Sequence, residues 1–353
     1  MKFDDLYFTG IGCHLGSLTP VSAPVAAGAY TPEEAAKTGQ LSTSVADRHG
    51  PDLAVSAARE ALRHADAVCG EAVRPSLSLH AGIYYAGIDF WHAASYVRDQ
   101  LGIGPWAGLA LEIGAMSNSM VAGLDLAASV LRGRPDHEDV LLTAGDRFGN
   151  PGFPHWSTDI GIVYGDAGSA FVLSRRPGFA RLVSVASFSD PSLEGLQRGA
   201  EPFRSASAAA STPIDIRLRK RQWLEDRGSD YVHARNSDAV TTVVKTALSD
   251  ADLDLPDVAK ICAPHYGRHL VRSQILRPLG ITEGQTMTGL GLRLGHLGAS
   301  DQIVALHHLM RTGEARQGDH VLLLGVGVGM TWTAAVLRVE RETPPPGGPG
   351  GRP

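Results

Sequence analysis

The chain has 353 residues, is 43% hydrophobic and carries a formal net charge of −5. It is long enough for two domain-sized cores, and its apolar content excludes general disorder. The acidic balance gives no electrostatic footprint for nucleic acid or an anionic membrane surface, and no run of about 18 apolar residues offers a transmembrane helix.

In chain order, the segment 5–12 reads as an opening strand and 15–45 as an irregular loop with a short helix near Pro32–Ala36. A helix is predicted over 51–67, where Leu53, Ala57, Ala61 and Ala65 form an apolar stripe. A strand at 80–86 and a helix at 90–101 follow. Next comes Leu111-Glu-Ile-Gly-Ala-Met-Ser-Asn-Ser-Met120, which passes from apolar and strand-like into a helical pattern with Val121, Leu124, Ala128 and Leu131 on one face. The chain should turn sharply at Ser117, at the positive end of a helix, where an acyl-transfer enzyme places a nucleophile. The competing reading is a plain helix cap supplied by Ser117 or Ser119.

Beyond it, 140–144 and 161–165 read as strands, Gly165–Ala170 as a turn, and 171–173 and 180–185 as further strands. The polar excursion 186–230 is too long for a plain linker and suggests a cover or partner surface. It contains the basic run Arg217-Leu-Arg-Lys-Arg221, read as a solvated face or a local anion contact. A helix at 235–250, a strand at 259–263, two helices and strands at 319–325 and 330–339 complete an alternating α/β pattern. Residues 342–353, rich in Pro and Gly, should form a disordered tail.

The halves 1–177 and 178–341 echo each other. A helix ending Leu131-Arg132 precedes a strand beginning Asp139-Val-Leu-Leu142, and a helix ending Met310-Arg311 precedes Asp319-His-Val-Leu-Leu323. Fifteen residues before each arginine stand Ser117 and His296. A pseudo-two-fold relating the halves would make them face each other, and Asp301 in the next turn would orient the imidazole, the logic of a Ser-His-Asp triad. Asp301 also suits a helix N-terminus for dipole reasons.

His265 closes the strand 259–263, where α/β sheets usually contact ligands. His265 and His269 are four apart, but Tyr266 stands where a zinc-helix motif needs its glutamate, so no metal site is predicted. The Gly325-Val-Gly-Val-Gly329 run precedes a strand rather than a helix, which rejects a dinucleotide fingerprint; its backbone N–H groups suit an oxyanion hole. Cys13, Cys69 and Cys262 are odd in number and far apart, as fits a reducing cytoplasm.

Over nearly the whole chain outside the 342–353 tail, these residues resemble the β-ketoacyl-acyl-carrier-protein synthase III branch of the thiolase superfamily. Ser117 in Gly114-Ala-Met-Ser117 stands at the family's nucleophilic cysteine. Pro264-His-Tyr-Gly-Arg268 looks like its Pro-His-Gln-Ala-Asn segment, placing His265 at the family histidine. His296 in Gly295-His-Leu-Gly-Ala299 stands where the family has asparagine. Gly165-Asp-Ala-Gly168 matches a family turn, and Gly327-Val-Gly-Met-Thr-Trp332 its closing segment. The resemblance implies a thiolase fold, two pseudo-two-fold-related halves in five αβαβα layers, and a cytoplasmic homodimer.

It also implies acyl-CoA as substrate, an acyl-carrier protein as partner, and no metal or other cofactor. Ser117 and Val328 would supply the oxyanion N–H groups, His265 would assist the acceptor or thioester, and Phe90 would limit acyl length from the partner subunit. The family's tryptophan and arginines that hold the CoA adenine have no clear match in 28–45. The asparagine exchange removes a group that carbon–carbon bond formation uses. The serine version looks like starter-unit proteins of antibiotic polyketide pathways, which take propionyl-CoA. Transfer to a sugar hydroxyl, proofreading hydrolysis of the acyl-serine and a non-catalytic partner role are the alternatives.

Overall fold

The computed structural model describes residues 1–105, 107–203 and 213–341; the expected tail and part of the 186–230 excursion lie outside them. The described residues form eleven strands: β1 (Tyr7–Leu15), β2 (Ser17–Pro20), β3 (Ser42–Val45), β4 (Leu77–Ala81), β5 (Leu109–Ile113), β6 (Asp139–Asp146), β7 (Ala167–Ser174), β8 (Ala180–Ser189), β9 (Val258–Cys262), β10 (His320–Gly327) and β11 (Thr331–Val339). Nine of them form one mixed sheet in the order β5-β4-β6-β7-β1-β8-β11-β10-β9.

The repeat seen in sequence reappears as topology. Outward from the seam, β1 pairs antiparallel with β7, β7 antiparallel with β6, and β6 parallel with β4. On the other side β8 pairs antiparallel with β11, β11 antiparallel with β10, and β10 parallel with β9. The seam is thin: β1 and β8 share only the pairs Tyr7–Arg181 and Phe8–Ala180.

Helices Ser119–Gly133 and Asp301–Thr312 occupy equivalent places and share one core with both halves of the sheet, through Leu124, Ala128 and Leu131 on the first and Ile303, Leu306 and Leu309 on the second. The outer helices Gly50–Cys69 and Ser229–Asp250 pack on the opposite faces, with Ala57, Ala61 and Ala65 against Leu141 and Val172, and Val240, Val244 and Ala247 against β8–β11. The layering is α, β, α, β, α. The two central helices thereby bring their N-termini together between the half-sheets.

Three expectations are corrected. The stretch 161–165 is not a strand: it makes one isolated bridge, Tyr164 with His296, and runs close against another segment, since a Cβ at Gly165 would lie 2.2 Å from the Leu294 carbonyl. The 165–170 turn is already β7 from Ala167. The excursion 186–230 contains the helix Ile216–Arg227, polar nearly all round with only Ile216 and Trp223 buried, which hides it from an apolar-periodicity reading. Smaller shifts occur as well: β4 ends at Ala81 rather than near 86, and the loop 15–45 holds the small β2–β3 sheet.

Candidate active site

The elbow after β5 is tight. Met116 adopts φ +50°, unusual for a non-glycine residue, and Met116–Asn118 form a single 3₁₀ turn that leads into the helix at Ser119. Ser119 stabilises this bend: its Oγ accepts from Ala115 N at 2.8 Å and donates to the Met116 carbonyl at 2.6 Å. Asn118 Nδ2 donates to the Thr331 and Thr333 hydroxyls, both at 3.0 Å, tying the elbow to β11. Neither serine makes a side-chain cap at the helix start. Ser117 is thereby left for another partner.

That partner is His296. Ser117 Oγ lies 2.8 Å from His296 Nε2, and His296 Nδ1 lies 2.6 Å from Asp301 Oδ2. The carboxylate can only accept, so Nδ1 carries the proton and Nε2 is free to take one from Ser117. Backbone bonds hold the ring's segment in place: His296 N donates to the Val163 carbonyl and Gly165 N to the His296 carbonyl. Tyr164 and Tyr266 pack their rings against the imidazole.

Burial grades the three groups: Ser117 is 8% exposed, His296 2% and Asp301 0%. Burial alone would raise the Asp301 pKa, but the His296 and His265 rings and its hydrogen bonds outweigh it and hold the carboxyl below its ordinary range. Its Oδ1 also accepts from Leu297 N at 2.7 Å and its Oδ2 from His265 N at 2.8 Å.

Ser117 and His296 open on a cavity of about 240 Å³, lined mainly by apolar side chains and also by Tyr164, Tyr266 and Val328. Val328 follows β10, and glycines bring this strand end against the elbow. A Cβ at Gly327 would lie 2.0 Å from the Ala115 carbonyl, and one at Gly325 2.0 Å from Asn118 Oδ1.

His265 is placed differently from the sequence reading. It does not line the cavity; its Nδ1 lies 3.2 Å from the Gly295 carbonyl and 3.3 Å from Asp301 Oδ1, while Nε2 is buried without a hydrogen-bond partner among the described residues. Burial lowers its pKa. It backs Asp301 rather than facing the cavity. Phe90 also lies away from this cavity, fully exposed at φ +52°.

The sequence reading missed Asp146. This buried carboxylate accepts from Ile83 N, Tyr84 N and Ala299 N at 2.7, 3.2 and 3.1 Å, joining the loop after β4 to the His296–Asp301 turn. Burial raises its pKa to about 6, against those N–H groups and the His296 ring, which pull it down. An unfolded aspartate titrates near about 3.9. The folded state therefore holds this proton more tightly, and the stability it contributes, complete below about pH 4, is lost as pH rises through about 6. Between about pH 4 and 8 the wild type should lose about 2–3 kcal/mol more unfolding free energy than Asp146→Asn. Urea titrations at both pH values measure this; parallel losses would mean that Asp146 ionises normally.

With this geometry in view, relatives can be compared. The family described as 3-Oxoacyl-[acyl-carrier-protein (ACP)] synthase III C terminal matches residues 248–339. A beta-ketoacyl-[acyl-carrier-protein] synthase III from Roseiflexus castenholzii is 27% identical over 287 residues, 78% of this chain and 83% of the relative. The solved structure of ChlB3, described as an acyltransferase, superposes with a TM-score of 0.87 at 35% identity, over 97% of this chain and 99% of that one. The chain belongs to the synthase III-like family of the thiolase superfamily.

The synthase III structure from Aquifex aeolicus, 19% identical with a TM-score of 0.76 over 94% of this chain and 99% of its own, shares the fold. Within this family the chain is an acyl-transferring enzyme. Among its described residues no group of three or more His, Cys, Asp or Glu side chains could hold a metal, and no helix is long and apolar enough to cross a membrane.

Proposed function

We propose that this synthase III-like protein takes a short acyl group from acyl-CoA onto Ser117 and passes it to a second acceptor. The observation that carries this is the relay from Ser117 through His296 to Asp301, opening on an apolar cavity. His296 Nε2 removes the hydroxyl proton as Oγ attacks the thioester carbonyl, and Asp301 stabilises the imidazolium. The Ser117 and Val328 N–H groups hold the tetrahedral oxyanion. On collapse the carbon–sulfur bond breaks, and the departing thiolate takes the proton from His296. His265 acts as a positioning residue through its N–H to Asp301.

Two observations favour transfer over carbon–carbon bond formation. With Nδ1 held by Asp301, His296 Nε2 is a bare acceptor once the thiolate has taken its proton, and His265 lies off the cavity, so neither ring presents a donor there to stabilise an enolate. The acyltransferase description of ChlB3 points the same way. The acceptor we favour is a carrier-protein thiol, with propionyl as the acyl group, priming a polyketide for antibiotic biosynthesis. The cavity suits a group of this size or somewhat larger, since an apolar cavity of about 150 Å³ accommodates benzene.

A homodimer fits the exposed edge strand β5, which leaves Leu109 and Leu111 open; Ile88 and Phe90 are exposed as well. Phe90 would then close the partner's acyl pocket. Three free cysteines suit the cytoplasm. Intact-mass measurement after incubation with propionyl-CoA should find one acyl group on the wild type and none on Ser117→Ala. Equal labelling of the two would sink the nucleophile assignment.

A further inference from the structure

A buried ion pair in the cavity wall takes no part in the acylation chemistry. Asp159 is 2% exposed; its Oδ1 accepts from Lys220 Nζ and Ile160 N, both at 2.6 Å, and its Oδ2 from the Tyr164 hydroxyl at 3.3 Å. The Lys220 side chain is 14% exposed, and both residues line the cavity that holds Ser117 and His296. Lys220 arrives on the helix Ile216–Arg227, which is also tethered by the Arg217–Glu34 ion pair.

Such a pair is a poor device for stability alone, because desolvating two charges offsets most of their attraction. Its unused hydrogen-bonding capacity suggests another role. An ammonium has three donors, and Lys220 uses one on protein among the described residues; a carboxylate has about four acceptor directions, and Asp159 uses three. Gln197, which also lines the cavity, has its Oε1 buried without a partner among the described residues. Donors and acceptors therefore stand side by side in a pocket that is otherwise mainly apolar. A group offering both an acceptor and a donor complements them, whereas a saturated chain would leave them unpaired.

We propose that Lys220 and Asp159 form a recognition site for an amide or hydroxyl group of the incoming thioester. Two parts of such a molecule carry this chemistry: the amides of the pantetheine arm and a hydroxyl on the acyl chain. The proposal rests on the reading that this cavity leads a thioester to Ser117.

The test is equilibrium binding to Ser117→Ala protein, which needs no acyl transfer. The probes are butyryl-CoA, 3-hydroxybutyryl-CoA and S-ethyl thiobutyrate, the last having neither amide nor hydroxyl. Adding Lys220→Met should weaken binding of at least one CoA ester by about tenfold or more, with S-ethyl thiobutyrate unaffected. Equal losses for both CoA esters assign the amide; a loss confined to the hydroxy ester assigns the hydroxyl. Unchanged affinities, equal losses for all three probes, or no binding of either CoA ester to the Ser117→Ala protein would overturn the proposal. Lys220→Met leaves Asp159 buried without its counter-charge, so Asp159→Asn/Lys220→Met is measured beside it and must give the same pattern. Should the wild type acquire no acyl mass, the acylation reading fails while this binding pattern still decides the recognition site.

Discussion

Replacing His296 with alanine is expected to slow acyl loading of Ser117 by about 10⁴-fold. A serine hydroxyl is a weak nucleophile near neutral pH, and His296 Nε2 at 2.8 Å is the base within reach of its proton. Asp301→Asn should cost roughly 10²–10⁴-fold, because an amide no longer fixes the Nδ1-protonated tautomer or stabilises the imidazolium. The effects should not add: His296→Ala/Asp301→Asn should resemble His296→Ala alone, since Asp301 acts through the ring. Ser117→Cys should recover part of the loss in the His296→Ala background, as a thiol supplies some thiolate unaided. Time courses of acyl mass gain at saturating propionyl-CoA measure all four. Labelling of His296→Ala within a few-fold of wild type would remove the histidine from the mechanism.

The largest stability effect is expected at Trp332. This indole is 1% exposed in the core beneath helix Ser229–Asp250, and its Nε1 donates to Asn236 Oδ1 at 3.1 Å. Asn236 in turn donates to the Gln274 carbonyl, and both Asn236 and Gln274 line the cavity. Trp332→Ala should cost about 3–5 kcal/mol through lost burial and the void left behind. Trp332→Phe keeps most of the apolar volume but leaves Asn236 Oδ1 without its donor, for about 1–3 kcal/mol. Urea unfolding should show both as lower midpoints with similar slopes. If the phenylalanine variant matched wild type, the Asn236 bond would be energetically idle. Loss of acyl loading in Trp332→Phe while the protein stays folded would trace the cavity wall back to this core residue.

Much of this arrangement was legible along the chain. The apolar stripe of Val121, Leu124, Ala128 and Leu131 is wholly buried, and counting back from Arg132 and Arg311 paired Ser117 with His296, residues 179 apart. The glycines of 325–329 read as a tight turn, and they are what lets β10 pass the elbow. Such signals are local: periodicity, turn residues and spacing within a repeat.

Other features depended on partners remote in sequence. His265 and Asp301 both read as site residues, yet only packing decided that His265 stands behind the carboxylate and away from the cavity. Asp146 stands two residues past the strand read at 140–144 and carries no signal of its own, since its three N–H donors come from loops 62 to 153 residues away. Lys220 belongs to a run that reads as a solvated face or a local anion contact; only the folded chain shows that the anion it meets is Asp159, inside the cavity. A sequence by itself determines which faces must be buried and where the chain must turn, because those follow from each residue's own chemistry. Which buried polar groups meet depends on how the two halves close over the central helices, and that is a property of tertiary structure alone.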